Sequence, residues 1–228
     1  MRRHLLDWGV ASALCQPLGV DTQRFHPRRA SRAWRERLGY DDDTRLLVYA
    51  GRFAPEKHLD VLAAAVARLG PPYRLLAIGA GPTPPQGPNV RVLPFLAHVD
   101  EVACALASAD AFVHAGDQET FGLSLLEALA CGTPAVVRAA GGLAALVDAS
   151  VGIAVERGGS EDFAEAIDAL FADDRAARRR AARTRAEAYD WERVLPALLA
   201  HYRSLLRGQA RRAGDAAALS AAPLGTTR

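Results

Sequence analysis

The sequence predicts an α/β domain built on a parallel, doubly wound sheet. Short, near-continuous apolar runs read as strands buried on both faces, and they alternate some six times with longer segments of helical periodicity. The 228 residues, 50% of them hydrophobic, suffice for one full domain with a sizeable core, or at most two small ones. Residues 1–30 read as irregular chain, with turn chemistry at Pro17-Leu-Gly-Val-Asp21 and a stop at His26-Pro27. Ala30 to Leu38 forms a short helix that Gly39 ends, and Asp41-Asp-Asp43 is a polar loop. Arg45 to Gly51 is a buried strand closed by glycine, and Leu59 to Leu69 is a helix ending at Gly70-Pro-Pro. Tyr73 to Gly79 is the second strand, Gly81 to Pro88 a proline-rich loop, and Val90 to Leu93 a third, short strand. Val99 to Ala107 is helical, Ala111 to His114 a strand, Leu123 to Ala130 a helix, and Pro134 to Val137 a strand. Gly141-Gly142 is a turn and Gly152 to Val155 the last strand. Ser160 caps a helix to about Phe171, Asp173 or Asp174 caps a basic helix to about Tyr189, and Trp191 to Leu206 is the final helix. Residues 208–228, small, polar and Arg-rich, read as disordered.

The formal net charge of +2 does not argue for a nucleic-acid partner. Cys15, Cys104 and Cys131 are too few and too scattered for a disulfide framework or a zinc site, and a reducing, cytoplasmic setting fits them. No apolar run approaches the roughly 18–20 residues of a membrane span, and the opening residues do not read as a signal peptide. Among 28 basic side chains Lys57 is the only lysine, which hints that this position needs an ammonium rather than a guanidinium.

The stretch Gly116-Asp-Gln-Glu-Thr-Phe-Gly-Leu-Ser-Leu-Leu-Glu-Ala-Leu-Ala-Cys-Gly-Thr-Pro134 places Glu119 in the loop after a strand. Glu127 falls about one turn into the following helix. In an open α/β sheet, ligands bind outside the carboxyl ends of the strands. Carboxylates there can accept hydrogen bonds from sugar or ribose hydroxyls, and free N–H groups at the helix start can hold an anion. The plainer alternative makes Glu119 a cap and Glu127 an exposed helix acid. Against it, Glu127 sits among Leu125, Leu126, Ala128 and Leu129 with no nearby cation, so a buried carboxyl there needs a hydroxyl or N–H partner. Hydrogen bonding to hydroxyls is favoured over acid–base chemistry by the pair.

Gly51-Arg-Phe-Ala-Pro-Glu-Lys57 also follows a strand and precedes a helix. Arg52 and Lys57 at that edge, with a helix N-terminus beside them, suit a diphosphate; the bland reading is a loop with two solvated cations. Other features carry less. Gly79-Ala-Gly81-Pro82 lacks the third glycine and the helix of a dinucleotide fingerprint, which leaves a dehydrogenase reading weak. Asp41-Asp-Asp43 precedes its strand, at the wrong edge for a metal–diphosphate, and reads as a surface turn. His114 ends a strand beside the carboxylate loop and by default packs behind it. The run Arg175 to Arg185 reads as a solvated surface helix, with attraction to an anionic membrane surface as the minority meaning.

Together these pieces resemble the C-terminal, donor-binding domain of GT-B-fold retaining glycosyltransferases, the large family-4 group. The matching segments run in that family's order. They are Gly19 to Pro27, Val48 to Lys57, Ile78 to Pro82, Asn89-Val-Arg-Val, Ala109 to Val113, Glu119 to Val136, Gly141-Gly142 and Tyr189-Asp-Trp-Glu192. The resemblance implies a single Rossmann-like domain over 31–206, a linker remnant over 1–30 and a disordered tail over 207–228. It implies that Arg52 and Lys57 clamp the donor diphosphate and stabilise the leaving nucleotide, and that Glu119 faces the transferred sugar. It further implies that Thr120, Phe121, Gly122 and Leu123 line the donor through the turn, and that Glu127 binds the ribose. No metal or other cofactor is implied; the partner is a UDP- or GDP-sugar, together with a separate N-terminal acceptor domain. Two departures stand out: the family's N-terminal half does not precede these segments, and His114-Ala-Gly116 replaces a common Pro-Ser. The competing readings are a non-catalytic nucleotide-sugar-binding remnant, a subunit of a split enzyme, and a relative that isomerises or phosphorolyses sugars.

Overall fold

The computed structural model describes residues 2–10, 14–172 and 174–220. The chain divides into two compact units, Val20–Asp190 and a smaller one made of Met1–Gly19 with Trp191–Arg228.

In Val20–Asp190 the strands are β1 (Arg45–Ala50), β2 (Tyr73–Ile78), β3 (Val90–Leu93), β4 (Ala111–His114), β5 (Ala135–Arg138) and β6 (Gly152–Val155). They form one sheet in the order β3-β2-β1-β4-β5-β6, with every pairing parallel. The chain runs outward from β1 to β3, then returns to β4 and runs the other way. The gap between the carboxyl ends of β1 and β4 is therefore the switch point, where a crevice forms in such sheets.

Around the sheet lie α2 (Arg32–Arg37), α3 (Leu59–Leu69), α4 (Val99–Ser108), α5 (Leu123–Ala130), α6 (Ser160–Ala172) and α7 (Arg175–Glu187); α1 and α8 belong to the smaller unit. Strand alternation divides the core in two. Leu46, Val48 and Phe112 pack with Leu106, Leu126 and Leu129 on one face, while Leu47 and Tyr49 pack with Leu62, Val66 and Phe163 on the other. Both faces being covered explains why the strands read as unbroken apolar runs.

Asp110 secures the amino-terminal edge of the sheet. Its carboxylate accepts from the Leu46 N–H at 2.8 Å and from Arg35 Nη1 at 3.0 Å, and it pairs with Arg175. Asp41 accepts from the Thr44 N–H at 2.8 Å and Asp42 pairs with Arg32 at 2.9 Å, so Asp41-Asp-Asp43 is a turn at the start of β1 that is tied to α2.

Several local expectations are corrected. The first residue of α6 is Ser160 rather than its cap. The Gly159 carbonyl accepts from the Phe163 N–H at 3.1 Å, and Asp162 reaches back to the Gly159 N–H at 3.1 Å. The basic helix α7 is not simply a solvated face. Arg179 donates to the Ala107 and Ala109 carbonyls at the end of α4. One nitrogen of Arg183 serves the Thr22, Phe25 and Ala130 carbonyls at 2.9–3.0 Å, Arg178 reaches the Ala149 carbonyl, and Arg185 pairs with Asp148. Guanidinium groups satisfying carbonyls at helix ends tie the fold together, which leaves exposed Arg180 as the solvated member of the run. Residues 20–30 are also not loose chain: Val20, Thr22 and Phe25 are buried, and Pro27–Arg29 forms a 3₁₀ turn.

The smaller unit contains α1 (Arg2–Asp7) and α8 (Trp191–Ser220). The α1 helix lies in a region expected to be irregular, and α8 runs past Leu206 because residues 207–220 are largely Ala, Arg, Gln and Leu without proline. Residues 221–228, part of the segment expected to be disordered, lie outside the described residues. Gly19 sits against the Trp191 indole, where a Cβ would stand 2.5 Å from the ring. Leu195, Leu199, Tyr202 and Leu206 form an exposed apolar stripe on α8. Among the described residues, no helix is long and apolar enough to cross a membrane.

Candidate functional site

The crevice is walled by the loop from β1 to α3 and the loop from β4 to α5. The first begins at Gly51, whose N–H donates to the Ile78 carbonyl at 3.0 Å, and it packs back-to-back against the turn after β2. A Cβ at Gly79 would stand 1.9 Å from the Gly51 carbonyl oxygen, and one at Gly81 would stand 2.0 Å from that of Phe53. These two glycines thus serve loop–loop packing. The Tyr49 hydroxyl donates to the Arg52 carbonyl at 2.8 Å and fixes the loop from within. Pro55–Lys57 forms a 3₁₀ turn, and His58 starts α3 in the left-handed conformation, at φ 48° and ψ 48°.

Lys57 is buried and its Nζ pairs with Glu119 Oε1. The same oxygen lies 3.2 Å from Nε2 of His114, while Nδ1 of that ring accepts the Gly116 N–H at 3.1 Å. The hydrogen bond from His114, and then that from Lys57, overcome burial and hold the Glu119 carboxyl down at about 2. Arg52 points into solvent and pairs with Glu56 at 2.6 Å. His58 Nε2 lies 3.5 Å from Asp117. Burial and the nearby Glu119 carboxylate push the Tyr49 phenol up.

Glu119 does not cap α5, contrary to one sequence expectation; its carboxylate turns toward Lys57 and His114. Gly122 holds that place in the left-handed region at φ 89°, and among the described residues no side chain caps the helix. The first-turn N–H groups of α5 thus have no intrahelical partner. Thr120 and Leu123 are exposed on this turn, whereas Phe121 packs edge-on against Tyr189 at 6.1 Å. The Gly141-Gly142 turn braces the loop from behind. The Gly142 N–H donates to the Glu119 carbonyl at 2.7 Å, and a Cβ on Gly141 would stand 2.3 Å from that oxygen.

Glu127 faces a neighbouring cavity of about 500 Å³, with Arg52, Phe25, Ile78, Val102 and Ser124 also on its walls. Among the described residues, nothing hydrogen-bonds the Glu127 carboxyl, and burial alone raises it to about 7. Arg52, Lys57, Glu119 and Glu127 thus come to one sheet edge, with Lys57 and Glu119 in direct contact and Glu127 set apart in the cavity. Sequence reasoning missed three supports. Glu56 as the Arg52 partner was signalled by its i+4 spacing, whereas Tyr49 and Gly116 carried no signal separable from an ordinary strand and turn. Among the described residues, no group of three or more His, Cys, Asp or Glu side chains could hold a metal ion.

The family model for glycosyl transferases group 1 matches residues 30–189. The chain belongs to this family. Among curated relatives of this group 1 glycosyltransferase chain is the GDP-mannose-dependent α-(1-6)-phosphatidylinositol dimannoside mannosyltransferase of Mycobacterium tuberculosis. It is 38% identical over 202 residues, covering 84% of this chain and 52% of the relative. The D-inositol 3-phosphate glycosyltransferase of Geodermatophilus obscurus is 36% identical over 215 residues, covering 83% and 46%. The chain spans about half the length of the curated relatives it matches. Among solved structures, the sucrose-phosphate synthase of Thermosynechococcus elongatus matches with a TM-score of 0.76 at 26% identity, over 90% of this chain and 56% of that one. The Rossmann-like, GT-B-type fold expected from the sequence is the fold found.

Proposed function

We propose that this chain is the donor-binding half of a retaining, metal-independent glycosyltransferase that uses a nucleoside-diphosphate sugar. The observation that carries the reading is the arrangement of the crevice. A buried ammonium, Lys57, stands on the β1–α3 loop across from the uncapped α5 end on the β4–α5 loop. An unpartnered carboxyl, Glu127, faces the adjoining cavity. Arg52 and Lys57 with the α5 N–H groups suit a diphosphate, Glu127 a ribose diol and Glu119 the sugar hydroxyls. Charge fixed where the leaving nucleoside diphosphate develops its own lowers the transfer barrier without a metal. The 38% identical relative is named as GDP-mannose-dependent, which favours a GDP-sugar over a UDP-sugar. The acceptor, and a separate acceptor-binding domain as partner, remain part of the proposal. So do a cytoplasmic setting and contact with the inner face of a membrane.

Calorimetry tests the donor reading on the intact chain. GDP or UDP is expected to bind in the presence of EDTA, with Lys57→Ala and Glu127→Ala each weakening it about tenfold or more. Absence of any nucleotide binding by the intact chain would refute the proposal.

A further inference from the structure

Two donors converge on one oxygen of Glu119. Lys57 Nζ and His114 Nε2 both meet Oε1, and neither is bonded to Oε2. His114 has no freedom to do otherwise. It is buried at 2% exposure, with its ring 5.4 Å from that of Tyr49 and 6.4 Å from that of Phe112. Its Nδ1 accepts the Gly116 N–H at 3.1 Å, so the ring proton lies on Nε2 and points at Glu119. Gly116 is itself confined, since a Cβ there would stand 2.7 Å from His114 Cε1 and 2.8 Å from the Glu56 carbonyl oxygen.

From this geometry we propose that His114 is a positioning residue for Glu119. It holds Oε1 so that Oε2 stays free for a hydroxyl of the transferred sugar, and it keeps hold when Lys57 turns to the donor diphosphate. The inference rests on the nucleotide-sugar reading above. Lys57 cannot give its full charge to a phosphate and still anchor Glu119. His114, walled in by two rings and a backbone N–H, remains on Glu119. An Arg or Lys in its place would compete for the anion, whereas a neutral N–H donor orients the carboxylate without doing so.

The test uses two substitutions that divide the imidazole between them. In His114→Asn the side-chain oxygen replaces Nδ1 and accepts the Gly116 N–H, but nothing reaches Glu119. In His114→Gln the amide nitrogen replaces Nε2 and restores the donor. Binding of GDP, GDP-mannose, UDP and UDP-glucose is measured by calorimetry on the full chain. In His114→Asn, affinity for the bare nucleotide is expected to hold within about twofold. The preference for the nucleotide sugar over that nucleotide is expected to fall about tenfold, the scale of one hydrogen bond to a charged group; His114→Gln restores it. A His114→Asn protein that keeps the wild-type preference overturns the inference and leaves the donor reading standing. A wild-type chain that binds none of the four overturns both. Imidazole ¹⁵N spectra of the free wild type add a readout that needs no ligand: a ring protonated at Nε2 supports the inference and one protonated at Nδ1 overturns it. If His114→Asn does not fold, that spectrum decides.

Discussion

Replacing Glu127 with Gln should strengthen the fold and weaken the ligand site at once, with a defined pH dependence. Burial raises the Glu127 carboxyl from an ordinary 4.5 to about 7. Each pKa unit corresponds to 1.36 kcal/mol, so ionised Glu127 costs the folded protein about 3 kcal/mol at pH 8 relative to its neutral form. The sign follows from the raised folded-state value. The stability associated with the neutral carboxyl is fully present below pH 4.5 and is lost as the pH climbs through about 7. Glu119 acts in the opposite sense and in a different window. Its depressed value contributes stability above pH 4.5 that is lost only as the pH falls toward about 2, so it does not mask the Glu127 effect. Glutamine is nearly isosteric and cannot ionise. Urea denaturation of wild type and Glu127→Gln between pH 4 and 8 should therefore give nearly equal stabilities at pH 4. The two should separate between pH 4.5 and 7, with the variant ahead by up to about 3 kcal/mol at pH 8. Nucleotide affinity should move the other way, because an amide oxygen is a weaker acceptor for a diol than a carboxylate. Parallel stability curves for the two proteins across this range would refute the argument that Glu127 is held without a partner.

Four further outcomes are expected. Lys57→Ala removes the cation from a carboxylate that is only 22% exposed and should lower stability by about 1–3 kcal/mol in thermal or urea unfolding. Lys57→Arg should not restore nucleotide binding, because a planar fork does not replace a compact ammonium at a buried position. Gly141→Ala places a methyl group 2.3 Å from the Glu119 carbonyl oxygen at a φ of 54°, so amide NMR should show the Glu119–Gly122 loop displaced, at a stability cost of about 1–2 kcal/mol or more. Arg183→Ala leaves three carbonyls without their shared donor and should cost about 2 kcal/mol by urea denaturation, whereas Arg180→Ala, on the exposed side of the same helix, should change stability by less than about 0.5 kcal/mol.

The parts of the fold that were legible in the sequence are those set by local periodicity. The helix Leu59–Leu69 and the strand Ala111–His114 have the bounds that the apolar pattern marks, because the helix buries one regular face and the strand is buried on both. Glu127 was legible for the converse reason: an acid among leucines breaks the pattern and demands a partner. What stayed hidden depends on distance through space. The charge run Arg175 to Arg185 shows six arginines but not which carbonyls lie within reach, so a set of internal tethers looked like a solvated face. Lys57 and Glu119 are 62 positions apart, and nothing local reveals that their contact is shared with His114. The start of α6 turned on which of two adjacent residues, Gly159 or Ser160, left the helical conformation, a difference decided by the reach of Asp162.

The charges in the crevice are matched in the free protein, and this constrains what can bind. Arg52 faces Glu56 and Lys57 faces Glu119, so an incoming diphosphate exchanges partners rather than meeting bare cations. The two exchanges differ in cost. The Arg52–Glu56 pair has an arginine side chain 68% exposed, and such pairs contribute about 0–1 kcal/mol, so Arg52 can swing to a phosphate almost freely. The Lys57–Glu119 pair is 11% and 22% exposed, so loosening it costs more than releasing Arg52. On the proposed reading, phosphate contacts alone therefore return little net affinity. The surplus must come from the cavity, where Glu127 waits for hydroxyls and apolar walls wait for a base. Pyrophosphate, which offers the charge without the ribose, should compete poorly with a nucleoside diphosphate. On the same proposed reading the site tolerates a carboxyl raised to about 7 by burial, because a partnerless acid is a burden to the fold only until a diol supplies the hydrogen bonds that favour its ionised form.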